Sequence, residues 1–341
     1  MSNGVNRKIV LKERPERKPT HENFDLVEEA IPSPEKNQVL CKTLYLSVDP
    51  YMLAMMTTRK SYADPIEIGG TMVGASVGEV IESNDTMFEK GDIVLGSGGW
   101  QEYFVDDPSR MKGVFPSLLK IEDSKVPLSY YLGILGMPGL TAYIALLDFG
   151  KPNEGETLLV SSAAGAVGTA TGQIGKIKGL NVIGTAGSDE KCDYVVNELG
   201  FDACINYKKE NLLRSLARHC RDGIDIYVDN VGGDVLMSSM RLINRNARIV
   251  VVGAMSQYNE PELPPGPNLI PLIMKRATIA GMLVFDHPER IPPFISDMTR
   301  WLSEGKIKVK ETIYDGIEKA PDAFIGLFKG ENIGKAIVKA G

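Results

Sequence analysis

From Lys8 to about Lys125 the apolar positions come in short runs broken by Gly and Pro, as in Gln38-Val39-Leu40-Cys41-Lys42-Thr43-Leu44-Tyr45-Leu46 and Gly74-Ala75-Ser76-Val77-Gly78-Glu79-Val80-Ile81-Glu82. Runs of that length bounded by turn formers predict short strands and a β-rich first domain. Beyond the hinge-like stretch Gly133 to Gly139 the pattern changes: apolar strands alternate with segments of helical period, as a parallel sheet wound by crossover helices requires. The first of these strands is predicted over 156–161, and the helix after it carries Val167, Ala170, Ile174 and Ile177 at helical spacing. The second is predicted over 181–186. Two further apolar runs, 225–229 and 248–253, read as strands covered on both faces, with a helix between each pair. The strand at 248–252 is expected near a sheet edge. Pro261 to Pro271 holds five prolines and reads as a rigid or functional loop. No internal repeat or low-complexity tract interrupts this order.

Composition narrows the picture. At 341 residues the chain exceeds the usual size of one compact domain, so two cores are expected. The net charge of -6 and the scattered basic residues argue against nucleic acid as a partner. No stretch of about 18 apolar residues is present, and Met1 to Lys8 lacks the apolar core of a signal peptide, so no membrane partner and a cytoplasmic location are expected. The four cysteines, Cys41, Cys192, Cys204 and Cys220, are spread without close pairing, which suits free thiols. No metal site is expected: His21, His219 and His287 stand apart, and the adjacent His219 and Cys220 diverge on a helix.

Chemistry concentrates in the second half. A strand ending at Ser161 or Ser162 runs into Ala163-Ala164-Gly165-Ala166-Val167-Gly168 and then a helix, which presents free backbone N–H groups to a dinucleotide pyrophosphate. In this reading Gly165 permits approach of the phosphate and Gly168 permits close packing of helix on strand. The usual first glycine is replaced by Ala163, so a glycine-rich turn without ligand is the plain alternative. The end of the next strand selects the nucleotide. An NAD site ends it with an acid that binds the ribose hydroxyls. Here the strand runs into Ala186-Gly187-Ser188 with Lys191 following, a small neutral pocket with a hydroxyl and an ammonium, which favours the 2′-phosphate of NADP(H). A solvated surface lysine is the alternative for Lys191, and Asp189 is the discordant residue, acceptable if it faces solvent at a helix start.

The run Gly136-Met137-Pro138-Gly139-Leu140-Thr141-Ala142-Tyr143, the turn just described and Gln173-Ile174-Gly175-Lys176 resemble the medium-chain dehydrogenase/reductase superfamily. With Leu46-Ser47-Val48-Asp49-Pro50-Tyr51-Met52, Asp229-Asn230-Val231-Gly232-Gly233 and Asn332-Ile333-Gly334-Lys335, they resemble its zinc-free double-bond reductase branch, that of the prostaglandin and curcumin reductases. The resemblance implies an α/β fold: a Rossmann doubly wound parallel sheet at 129–311, inserted in a GroES-like β-rich domain formed by 1–128 and completed by about 312–341. It implies NADPH contacts at Met137, Thr141, Ala164, Gly165, Ala166, Val167, Gly168, Gly187, Ser188, Lys191, Tyr207 and Asn230. It adds Val252, Gly253, Met255, Ser256 and Tyr258, the cofactor-lining Leu283, Val284 and Phe285, and Asn332 near the end. A homodimer is the usual assembly of the family.

Without a metal to polarise a carbonyl, the expected reaction delivers hydride to the β-carbon of an α,β-unsaturated ketone or aldehyde, and a phenol stabilises the resulting enolate. By resemblance Tyr258 is the first candidate and Tyr51 the second; the bland role for either is interface packing. Tyr51, Met52, Met55, Met56, Met72, Met137, Tyr258 and Met282 are expected to make an adaptable apolar wall for a bulky hydrophobic enone or enal, although fourteen methionines suit plain core filling equally well. A zinc-free NADPH:quinone reductase, a non-catalytic NADPH-binding protein and alcohol oxidation with NADP⁺ are the competing functions.

Overall fold

The computed structural model describes residues 4–58, 64–112, 115–122, 124–258, 260 and 264–341. It divides into two compact units, Met1–Leu132 with Glu311–Gly341, and Gly133–Lys310. The boundaries fall a few residues from the 128/129 and 311/312 expected from the sequence.

In the first unit β1 (Val5–Leu11) pairs antiparallel with β2 (Phe24–Ala30). A seven-stranded sheet holds β3 (Val39–Ser47), β4 (Ser76–Ser83), β5 (Ile93–Gly96), β6 (Tyr103–Asp106), β9 (Leu118–Lys120), β16 (Glu311–Asp315) and β17 (Lys335–Lys339). A ribbon of β7 (Met111–Lys112) and β8 (Phe115–Pro116) lies in sequence between β6 and β9. Alternate residues of these strands, among them Val39, Cys41, Val80, Val94 and Phe104, meet in one core, as a period of two dictates. The chain's tail belongs to this sheet because β17 pairs antiparallel with β3, with Ile337 opposite Ser47. After β3 the chain turns into the single-turn helix α1 (Met52–Met55). Met52, Met56 and Met72 are fully buried in this unit, which corrects their expected place on a substrate wall: they fill core, whereas Met55 stays half-exposed.

The second unit begins with α2 (Met137–Ile144) and is built on a wholly parallel six-stranded sheet, in the order β12 (Ala203–Asn206), β11 (Asn181–Ala186), β10 (Thr157–Val160), β13 (Ile224–Asp229), β14 (Ile243–Val251), β15 (Thr278–Gly281). The crossover helices are α3 (Ala166–Ile177), α4 (Asp189–Asn197), α5 (Leu212–His219), α6 (Gly233–Ser239) and α7 (Ile270–Lys275). All four residues of β10 are buried, which is why its sequence reads as an unbroken apolar run. Helices α8 (Ile291–Ser303) and α9 (Ala320–Lys329) follow, the latter in the first unit.

The strand carrying residues 248–251, β14, lies between β13 and the edge strand β15, and so next to an edge. One expectation is corrected. The proline-rich stretch is not a loop throughout. Residues 261–263 lie outside the described set, but α7 starts at Ile270 with Pro271 in its first turn, where the missing N–H costs nothing.

Candidate active site

In an open parallel sheet, ligands bind at the strands' carboxyl ends where the winding reverses. Here the order reverses between β10, which continues through α3 to β11, and β13 on its other side. Apart from Met137 and Thr141 on α2, the candidate residues of the second unit follow those strands in loops and first helical turns.

The turn after β10 is held in a conformation few side chains adopt: Ser162 has φ 52°. Gly165 then caps α3 without any side-chain acceptor, so the first-turn N–H groups of Ala166, Val167 and Gly168 are left for a ligand. The two glycines do different work. A Cβ on Gly168 would come within 2.2 Å of the Ser162 carbonyl oxygen, so this position keeps helix against strand. A Cβ on Gly165 would stand 3.0 Å from Ser162 Oγ, a contact the chain can relax. What it would obstruct is the approach to the helix end. Ala163 and Ala164 are buried beneath the turn.

At the end of β11 the pocket is small and basic. The Ser188 hydroxyl accepts the Lys191 N–H at 3.3 Å as the cap of α4, and its own proton remains for a second acceptor. Above Gly187 lie the Tyr207 hydroxyl and Lys208 Cε, which a Cβ there would meet at 3.1 and 3.3 Å. Lys191 is half-buried, and its ammonium is held below the ordinary lysine range by burial first and by the Lys208 charge second. An ammonium depressed by burial and by a neighbouring cation is a site for an anion. Asp189 does not oppose this: it accepts from Asn206 Nδ2 at 2.6 Å and pairs with Lys209, hydrogen bonds that lower its pKa. Lys208 escaped the sequence reading, although it adjoins Tyr207 just past the strand next to β11.

A second knot orders the end of β13. Asp229, wholly buried, accepts through Oδ1 from Tyr227 Oη at 2.7 Å and from Ser161 Oγ, Val231 N and Gly232 N, each at 2.9 Å. Ser161 Oγ accepts Asn230 N at 2.8 Å, and Asn230 Nδ2 donates to the Ser161 carbonyl at 2.8 Å. Asn230 is thereby fixed in backbone and side chain. Nothing in the spacing of the chain announced Ser161 and Asp229 as its supports, since 68 residues separate them.

The loop after β14 is knitted to the same turn. Val252 N donates to the Asp229 carbonyl at 2.9 Å, Met255 N to that of Asn230 at 3.3 Å and Ser256 N to that of Val231 at 3.0 Å. Tyr258 folds back so that its hydroxyl accepts Ala254 N–H at 3.3 Å and lies 3.5 Å from where a Cβ on Gly253 would be. Because the hydroxyl accepts here, its proton is free to donate elsewhere. Beyond β15, Leu283 and Phe285 are half-buried and Val284 is buried. Thr141 donates to the Met137 carbonyl within α2 at 2.8 Å.

The remaining candidates, Tyr51 and Asn332, belong to the first unit. Tyr51 opens α1, and Asn332 Nδ2 closes its own turn on the Gly334 carbonyl at 2.7 Å. Among the described residues no group of three or more His, Cys, Asp or Glu side chains is placed to hold a metal ion.

Two family sequence models match the chain, an N-terminal domain of oxidoreductases over residues 7–114 and a zinc-binding dehydrogenase domain over 166–300. The NADPH-dependent curcumin reductase of Escherichia coli (strain K12) is 46% identical over 340 residues, 98% of this chain and 96% of the relative. The chain belongs to the medium-chain dehydrogenase/reductase superfamily. In Nicotiana tabacum an NADP(+)-dependent 2-alkenal reductase is 44% identical over 304 residues, covering 89% of this chain and 87% of that protein. CurA of Vibrio vulnificus, solved in complex with NADPH, superposes with a TM-score of 0.92 at 46% identity over 98% of this chain and 99% of its own. The residues assembled on the second unit fit the same nucleotide: a helix start without a side-chain cap for the pyrophosphate, and Lys191 with Lys208 beside Ser188 for the 2′-phosphate.

Proposed function

We propose that the chain is an NADPH-dependent reductase of the carbon–carbon double bond of α,β-unsaturated ketones and aldehydes. The observation that carries this is the Tyr258 hydroxyl, held as an acceptor by backbone on a loop tied to the Asn230 turn, with its proton available for a substrate oxygen. Ala166 to Gly168 hold the pyrophosphate by N–H groups, Lys191, Lys208, Ser188 and Tyr207 hold the 2′-phosphate, and Asn230 offers its remaining amide oxygen to the ribose. Bound NADPH supplies the hydride. As charge develops on the carbonyl oxygen, a donor aimed there is worth roughly two to four kcal/mol in the transition state. Tyr258 fills that role, Tyr51 being the other phenol in question. Half-exposed Met137 and Met282 suit an apolar substrate better than a polar one. Relatives named for reduction of curcumin and of 2-alkenals support the assignment.

The same proposal includes a homodimer. The edge strand β15 has one row of unpaired backbone groups, and beside it Leu269, Ile270, Ile273 and Met274 are 56–79% exposed. An edge strand with an apolar flank is self-complementary when two copies pair antiparallel about a twofold axis. Four cysteines without disulfides favour the cytoplasm. Parallel assays of NADPH oxidation with an aryl enone, an enal and a quinone test the acceptor: preference for the quinone would reassign the protein as a quinone reductase.

A further inference from the structure

Among the described residues of the first unit, one ion pair is buried at both ends. Lys335 and Asp49 have side chains only 4% and 8% exposed, and Nζ lies 2.7 Å from Asp49 Oδ1. Nζ also donates to the Val48 carbonyl at 2.7 Å, and Ser47 Oγ donates to the other carboxylate oxygen, Oδ2. Burial pulls the lysine below its ordinary range, and Asp49, with Glu311 more weakly, pulls it back. Such a pair adds little to stability over an apolar pair of similar size, so its presence asks for another reason.

Its place in the register supplies one. The β17–β3 ladder sets Lys339 opposite Tyr45, Val338 opposite Leu46 and Ile337 opposite Ser47. Continued two residues, the same register sets Lys335 opposite Asp49. The β17–β3 pairing has ended there: the chain beyond β3 has left the sheet, while Lys335 opens β17 opposite Glu311 of β16. The chain leaves β3 through Asp49-Pro50-Tyr51, where the Asp49 carbonyl accepts Met52 N at 3.2 Å. It arrives at β17 through Asn332-Ile333-Gly334, where Asn332 holds the Gly334 carbonyl. Each turn is closed by its own hydrogen bond, and the Lys335 ammonium joins the two through Asp49 Oδ1 and the Val48 carbonyl.

We propose that Lys335 and Asp49 are positioning residues that lock the Tyr51 turn and the Asn332 turn to one another, and so set the phenol and the amide for substrate and cofactor. This rests on the proposed roles of Tyr51 and Asn332. Removing the clamp leaves both side chains in place but lets their turns drift, and a displacement of about 1 Å at a reacting group costs up to about a hundredfold in rate.

Three variants test it. Lys335→Met strands a buried carboxylate and is expected to melt roughly 5–10 °C lower. Lys335→Met/Asp49→Leu removes both charges and is expected to recover most of that loss, because an apolar pair fills the site. If the clamp positions, the double variant still shows kcat on an aryl enone lowered about tenfold or more, weaker NADPH binding, and faster amide exchange at residues 49–52 and 332–334 in the cofactor-free protein. A merely structural pair predicts the opposite: wild-type kcat, NADPH affinity and exchange once stability returns, and that result overturns the proposal. Should the double variant fail to fold, Asp49→Asn, which keeps shape and weakens the bond, is read by the same three measurements. Tyr51→Phe and Asn332→Ala run alongside. If these lower turnover and NADPH affinity while the clamp variants do not, the clamp fails alone. If neither has an effect, the roles given to Tyr51 and Asn332 fail first, and the clamp's target with them.

Discussion

Lys191→Ala separates the two nicotinamide nucleotides. In the free protein this ammonium is half-buried and is depressed by burial first and by the Lys208 charge second, so its charge gains no net stabilisation from the empty fold. A bound 2′-phosphate reverses that balance, and one charge-assisted hydrogen bond to it contributes about 1.5–3 kcal/mol. The variant is therefore expected to bind NADPH about 10- to 150-fold more weakly, with NADH affinity unchanged within about twofold. Lys208 is exposed, and Lys208→Ala should weaken NADPH by only about two- to fivefold. The pH dependence has a definite sign. Binding favours the charged lysine, whose pKa in the free protein lies below 10.5, so NADPH affinity should decline on the alkaline side earlier than for an ordinary lysine, and NADH affinity should stay flat. Fluorescence titration with both nucleotides from neutral pH upward measures all of this. Equal losses for NADPH and NADH, or no loss for either, would refute the assignment of the pocket; so would a marked fall in the melting temperature of the free Lys191→Ala protein.

Gly168→Ala should destabilise the second unit by about 1–3 kcal/mol and weaken both nucleotides alike, since the new methyl would overlap the Ser162 carbonyl; calorimetry with both cofactors checks this. Tyr258→Phe should lower kcat about tenfold or more with KM for NADPH little changed, and turnover within about twofold of the parent would remove Tyr258 from the chemistry. Ile273→Glu, at a residue 79% exposed beside the edge strand, should convert a dimer to a monomer in sedimentation without lowering NADPH affinity, whereas an unaltered sedimentation coefficient would move the interface elsewhere.

The parts legible in the sequence were those with local causes. The strand at 181–186 shows itself because five of its six residues are buried on a doubly covered sheet, and the phosphate turn because strand, glycines and helix follow in sequence. Sheet order is not local, which is why residues 248–251 could be placed near an edge without β15 being recognised as the edge strand. Composition likewise cannot tell a pocket methionine from a core one: Met52 and Met56 turn inward from α1, and Met55 between them stays half-exposed. Supports of the site were hardest to foresee. Ser161 reaches Asp229 across 68 positions and Lys335 reaches Asp49 across 286, pairings that only folding brings about. Lys208 was within reach of the sequence, as the second cation beside a pocket already given one.

The most direct test of the proposed chemistry follows the hydride. With NADPH deuterated at the transferable position of its nicotinamide and an aryl enone as acceptor, the product should be the saturated ketone, with deuterium on the carbon β to an intact carbonyl. Deuterium on the carbonyl carbon, giving an allylic alcohol, or no transfer to any enone or enal, would contradict it.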